Sequence, residues 1–267
     1  MSARLQTEEL ASLLAGTAEN WEVHYLETVD STNSWARQEA RQGARDGGIY
    51  LTDYQSAGRG RRGRVWEVPA GTSVMFSILL KPDTAPENLS MLTLVMGLSV
   101  AQGISLETGL GTGIKWPNDV VVNGKKICGI LTELDTVSGS VIIGTGININ
   151  MTSFPEELRE KATSIAAETG RSWSREQTAG KVIAAFAENY RIFNRTGDMT
   201  GLKESYQKIL VNRGNKVRVL DPRAPFTGTA LGIDDRGELL VKREDTGSVE
   251  TVFSGEVSVR GIYGYAV

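Results

Sequence analysis

The sequence predicts an α+β protein in two parts, a larger mixed unit over 1-212 and a small strand-rich barrel over 213-267. Three observations carry this. Apolar runs of strand length, Gly48 to Asp53, Thr72 to Leu80 and Val141 to Ile149, are interleaved with helical patterns at Trp35 to Arg41 and Leu89 to Leu106. Helical patterns then dominate from Pro155 to Leu210. From Asn215 the chain changes to runs of about five residues punctuated by Asp221-Pro222, Asp235-Arg236-Gly237 and Asp245-Thr246-Gly247, the rhythm of a small barrel. The boundary is expected near Val211 to Gly214.

Taken in order, Leu5 to Leu14 predicts a short helix and Trp21 to Thr28 a first strand. Asp30-Ser31-Thr32-Asn33 is a cluster of N-cap residues ahead of the helix that ends at Gly43, read either as a plain cap or as a seat for a polar ligand head. Gly48 to Asp53 leads through Gln55 into an arginine-rich stretch, and Thr72 to Leu80 follows as an apolar strand. Leu89 to Leu106 is interrupted by Ser90, Thr93, Ser99, Gln102 and Ser105, which predicts a buried helix and not a membrane span. Pro117 must end or bend the strand that enters through Ile114-Lys115, so Asn118 and Asp119 are held at a strand end. Asn123-Gly124 predicts a hairpin between Val120 to Val122 and Ile127 to Leu134. Gly144 and Gly146 weaken their strand, and their usual reason is close approach of another group. Helices are expected over Pro155 to Glu168 with Gly170 as stop, from Ser174 and Gln177 in capping-box spacing to Phe193, and over Leu202 to Leu210. Strands are expected at Lys216 to Leu220, Phe226 to Gly232, Glu238 to Arg243 and Val249 to Arg260.

Composition narrows the chemistry. The 267 residues are 40% hydrophobic and 23% charged, with a net charge of -3, one cysteine and one histidine. Cys128 has no internal disulfide partner, and His24 has no second histidine with which to bind a metal. The segment Met1 to Gly16 has no uninterrupted apolar core, so no signal-peptide pattern is present and a cytoplasmic location is expected.

Against this mildly acidic background, Gly58 to Trp66 concentrates Arg59, Arg61, Arg62 and Arg64 among glycines. Permanently charged planar forks on a backbone able to expose its N–H groups suit a small, strongly anionic ligand. The stretch matches Gly-x-Gly-x-x-Gly, but Val65-Trp66-Glu67-Val68-Pro69 follows where a dinucleotide-binding helix must start, so that fold is excluded. An RNA-binding loop would need a basic domain, and the pI near 5.5 argues against it. Together with Lys115, Asn118, Asp119, Lys126 and Asn148, the stretch gives anion clamps and polar strand ends with no evident nucleophile. Such a site suits phosphoryl or nucleotidyl transfer, in which the substrates supply nucleophile and leaving group.

Ser31-Thr32-Asn33, the run from Gln55 to Trp66, Lys115 to Asp119, Lys126 to Leu131 and Gly144 to Asn150 occur in order across about Thr28 to Asn150. In this the chain resembles the biotin-protein ligases. The resemblance implies a mixed central sheet with flanking helices, related to class II aminoacyl-tRNA synthetases, followed by an SH3-like barrel. It implies that biotin and ATP form biotinyl-5′-AMP and that a lysine of a biotin carboxyl carrier protein then takes the biotin. Carried over by motif, Ser31, Thr32, Asn33, Gln55, Gly58, Arg59, Gly60, Arg61, Lys126, Gly129, Gly144 and Gly146 fall to biotin. Arg61, Arg64, Trp66, Lys115, Asn118, Asp119 and Asn148 fall to the nucleotide, and Arg59, Arg61 and Lys126 to catalysis. Trp66 would pack over adenine, brace the loop or simply fill core. Asp119 would stand by a magnesium ion held mainly through phosphates.

Only Met1 to Asp30 precede the first motif, where repressor-type members carry a winged helix, so a monofunctional enzyme that binds neither nucleic acid nor membrane is expected. The resemblance covers both monomers and dimers and leaves a homodimer open. Cys128 stands where alanine is commoner. A lipoate-protein ligase is the nearest alternative, but its Gly-Gly-Gly-bearing motif is absent.

Overall fold

The computed structural model describes all residues except 1–3, 18–19, 83–85, 222–223, 255–257, 262–264 and 266–267. Its main sheet is built from β1 (Glu22–Val29), β2 (Gly48–Gln55), β3 (Ser73–Leu80), β4 (Thr112–Lys115), β5 (Asp119–Val122), β6 (Lys125–Asp135) and β7 (Ser140–Asn148). These run in the order β1-β2-β3-β7-β6-β5-β4. β1 and β2 pair in parallel and every other neighbour is antiparallel, so the sheet is mixed, as expected.

Strand alternation assigns the two faces. Ile49, Leu51, Phe76, Ile78, Val141 and Ile143 enter the main core with α3 (Leu92–Thr108) and α5 (Arg175–Thr196). Their neighbours Tyr50, Leu79 and Ile142 form a second cluster with Ala36 and Ala40 of α2 (Thr32–Arg41). The short α2 leaves the rest of its face open, and the site lies there. A short α1 (Thr7–Leu14) packs on α5 and β1. The helical stretch Glu87–Thr108 is long and apolar enough to cross a membrane, but 72% of that window is buried and it serves as the core helix. Its first turn, Pro86–Met91, is a 3-10 helix. His24 stacks on Tyr50 with ring centroids 4.8 Å apart, a structural role.

Two expectations are corrected. Pro155 to Glu168 is not one helix: it contains a 3-10 turn at Glu156–Leu158 and only the short α4 (Ile165–Thr169). Backbone bonds from Lys126 N to Lys161 O and from Thr163 N to Lys126 O draw the intervening chain into an extended pairing with β6. Ser164 then caps α4 and Gly170 ends it at φ 72°. Val249 to Arg260 is likewise two strands, because β11 (Val249–Val252) and β12 (Ser258–Gly261) lie at opposite edges of the second sheet. That sheet is five-stranded and antiparallel, ordered β11-β10-β9-β8-β12, with β8 (Lys216–Leu220), β9 (Phe226–Ile233) and β10 (Leu239–Arg243) between them. The turn expected at Asp221-Pro222 falls partly outside the described residues.

The capping box at Ser174 is present, its hydroxyl accepting from Gln177 N, although α5 continues to Thr196. After α6 (Lys203–Lys208) the chain enters the second sheet, which docks on the first through Trp116. The fully buried indole donates from Nε1 to Gly237 O at 2.9 Å, and Trp116 N donates to Asn212 Oδ1 at 2.8 Å.

Candidate active site

Facing pairs place Gly129 beside Gly146, Leu131 beside Gly144, and Ser77 on the other side of Gly144. These glycines form a floor on which other side chains lie directly. A Cβ on Gly144 would sit 2.1 Å from Asn33 Oδ1, and one on Gly146 would sit 2.7 Å from Trp66 Cε2. Trp66 therefore rests on the glycine floor, packed with Val68, Met75 and Met151. Its Nε1–H is buried without a hydrogen-bond partner among the described residues.

At the start of α2, Ser31 stands in the N-cap position but its side chain makes no capping bond. Thr32 donates to Gln55 Oε1 from both N (2.8 Å) and Oγ1 (3.1 Å). Asn33 donates from Nδ2 to Leu131 O at 3.1 Å and to Glu133 Oε2 at 2.7 Å. The Ser77 hydroxyl lies 2.8 Å from Thr32 Oγ1 and 2.6 Å from Asn33 Oδ1, joining the two. Gln55, Thr32, Ser77, Asn33 and Glu133 thus form one partly buried polar chain along the edge of the floor. Sequence reasoning named three of these. Ser77, a hydroxyl inside an apolar strand, and Glu133, in step with Gly129 and Leu131 on β6, were detectable by strand alternation.

The arginine loop closes on itself as a tight hairpin. Gly60 N donates to Arg64 O at 2.7 Å and Trp66 N to Gly58 O at 2.9 Å, so only a three-residue 3-10 turn, Arg61–Gly63, forms here and no α-helix opens, as the sequence requires. Arg62 sits at its tip at φ 59°. Arg59 donates to Ser34 Oγ at 3.1 Å and lies 3.7 Å from Glu133. Arg61 reaches across to Asn118 Oδ1 at 2.9 Å and also donates to Ser254 O of the C-terminal unit. Burial pulls the Arg61 guanidinium below its ordinary pKa.

The strand-end corner lies opposite. Lys126 Nζ is 2.6 Å from Asp119 Oδ1, and the Tyr265 hydroxyl donates to Asp119 Oδ2 at 2.5 Å. Lys115 Nζ sits 3.9 Å from the centroid of the Tyr265 ring. Burial pushes the Lys115 ammonium down to about 8, against the pull of Asp119, with Lys126, Arg260 and Arg64 adding positive potential. Burial opposes ionisation of Asp119, yet Lys126 and Lys115 hold its carboxyl below the usual carboxylate range. Asn148 is tied to Thr163 O at 3.0 Å through Nδ2 and receives Ser73 Oγ at 3.5 Å, which secures the end of β7. Cys128 is buried beneath this corner, and burial pushes its thiol far up, so it is inert filling. Nothing in the local sequence around Tyr265 signals its place here.

Among the described residues no group of three or more His, Cys, Asp or Glu side chains could hold a metal. Both oxygens of Asp119 are engaged, so this corner does not fit a protein-held magnesium ion.

A mixed sheet with a glycine floor, flanked by an arginine hairpin and a Lys/Asn/Asp corner, defines an enzyme of the biotin and lipoate ligase class. Residues 25–150 match the model of the Biotin/lipoate A/B protein ligase family, and residues 214–260 match that of the Biotin protein ligase C terminal domain. The bifunctional ligase/repressor BirA of Bacillus spizizenii is 35% identical over 240 residues, 88% of this chain and 73% of that protein. A biotin–(acetyl-CoA-carboxylase) ligase of Mycobacterium tuberculosis is 30% identical over 260 residues, 95% of each chain. The structure of the Aquifex aeolicus biotin protein ligase in complex with biotin and ATP matches with a TM-score of 0.81 at 32% identity, over 90% of this chain and 99% of that one. The chain belongs to the biotin protein ligase family.

Proposed function

We propose that this chain activates biotin with ATP on the glycine-floored face and then passes the biotin to a lysine of a carboxylase carrier domain. The observation that carries this is the convergence of distant motifs: Arg61 of the loop meets Asn118 at 2.9 Å while Lys126 meets Asp119 at 2.6 Å beside it. In the first step a biotin carboxylate oxygen bonds to the α-phosphorus and the bond to the β-phosphate oxygen breaks, releasing pyrophosphate. Two anions must approach for this to happen. Arg59, Arg61 and Lys126 neutralise them, and because these groups are already oriented they stabilise the charge that builds on the phosphorus oxygens. In the second step the carrier amine adds to the acyl carbon, AMP leaves with the bonding pair, and the amine loses a proton.

Ser31, Thr32, Asn33 and Gln55 would present hydrogen-bonding groups to the polar ring of biotin, with Gly129, Gly144 and Gly146 admitting it against the strands. Lys115, Arg64 and Asn118 would face the phosphates. Trp66 would offer its indole face and its buried N–H to the bound adenylate. Magnesium would arrive with ATP, coordinated by phosphate and water, while Asp119 orients Lys126. The main test is pyrophosphate exchange into ATP with biotin, with lipoate and with neither. Exchange that depends on biotin is expected, and exchange driven equally by lipoate would overturn the choice of substrate.

A further inference from the structure

The last described residue of the chain stands inside the site. Tyr265 comes from the C-terminal unit, 146 positions from Asp119, yet its hydroxyl bonds Asp119 Oδ2 at 2.5 Å while Lys126 holds the other oxygen at 2.6 Å. A carboxylate gripped through both oxygens cannot swing about its Cβ–Cγ bond, so the position of the Lys126 ammonium is fixed with it. The same ring lies under the Lys115 ammonium at 3.9 Å. A ring face holds a cation without introducing a formal negative charge, so it backs Lys115 without competing with a phosphate. A second contact from the same unit, Ser254 O accepting from Arg61, shows that the C-terminal unit reaches both sides of the site.

We propose that Tyr265 is a positioning residue for adenylation, aligning Lys126 through Asp119 and bracing Lys115 at the phosphate end. The inference rests on the ligase reading above. It assigns the C-terminal unit a share in the first chemical step.

The full chain carrying Tyr265→Phe or Tyr265→Leu tests this. Biotin affinity without nucleotide, measured by calorimetry, should fall by no more than about threefold in both, because Lys126 is only one of the groups assigned to biotin and neither contact touches the Thr32 and Gln55 end. Tyr265→Phe keeps the ring and loses the bond to Asp119, so the kcat of biotin-dependent exchange should fall about tenfold with little change in KM for ATP. Tyr265→Leu loses both, and its KM for ATP should rise about fivefold in addition. Unchanged kinetics in both variants would overturn the proposal. So would a lower KM for ATP in Tyr265→Leu, which would mean that the ring blocks the nucleotide. Parallel loss of biotin binding would reduce Tyr265 to a structural prop. If Tyr265→Leu fails to fold, the kcat of Tyr265→Phe decides. Absence of biotin-dependent exchange in the unmodified chain is a different failure: it would remove the ligase reading, and this proposal with it.

Discussion

Replacing Lys126 by Met should expose how much of the site's order is electrostatic. Asp119 is 8% exposed and its nearest cation, Lys126, lies 2.6 Å away. Deleting one partner of a buried pair leaves an uncompensated charge, which costs about 3–5 kcal/mol, and the remaining Lys115 and Tyr265 contacts place Lys126→Met toward the low end, about 3 kcal/mol. Asp119→Asn removes the charge instead, so the double variant should recover about 2 kcal/mol of that loss, while adenylation stays slow in all three. The pH dependence has a definite sign. In the parent the Asp119 carboxyl is depressed, so its stabilisation is present above the unfolded value of about 3.9 and is lost as pH falls through the lower folded value. In Lys126→Met, burial outweighs Lys115 and raises the folded value, so the penalty is largest at alkaline pH and shrinks as pH falls through that raised value. Urea denaturation of the four proteins at about pH 8 and pH 5 reads both effects. A double variant no more stable than Lys126→Met, or a penalty equal at the two pH values, would refute the reasoning.

Three further outcomes are expected. Arg61→Ala loses the bonds to Asn118 and Ser254 and to any bound adenylate, so release of biotinyl-AMP should quicken by the equivalent of about 1.5–3 kcal/mol in a filter-binding chase; unchanged release would contradict its role. Gly144→Ala places its Cβ 2.1 Å from Asn33 Oδ1, and because Asn33 is held by Leu131, Glu133 and Ser77 it cannot yield cheaply. Overpacking of about 1–3 kcal/mol should appear as weaker biotin binding in calorimetry. Because the Lys115 ammonium titrates near 8 when the site is empty and phosphates would hold its proton, ATP affinity should fall about tenfold from pH 7 to pH 9. Lys115→Arg should flatten that slope, since guanidinium stays charged.

Much of this site was legible because its residues sit where local chemistry is unusual. Arginines among glycines, a proline behind Lys115-Trp116, and glycines inside β7 all break a local rule, and the fold brings all three together at the candidate site. The faces of the sheet were readable from alternation for the same reason. What escaped the reading depends on pairing across distance. Residues 161–163 look helical locally, but Lys126 takes their backbone groups and extends them. The last strands read as one run until the second sheet separates β11 from β12 by placing them on opposite edges. Tyr265 has no local signature at all, because its meaning comes from Asp119.

A chain of net charge -3 can still present an anion site because of how it partners its cations. Lys126 and Arg59 face carboxylates, at 2.6 Å and 3.7 Å, whereas Arg61 rests on the neutral oxygens of Asn118 and Ser254 and Lys115 on an aromatic face. Both arrangements fix position, and the ring under Lys115 does so without introducing a formal charge. Burial has already desolvated Arg61 and Lys115 in the folded chain, so an incoming phosphate or carboxylate meets cations that are positioned and partly stripped of water.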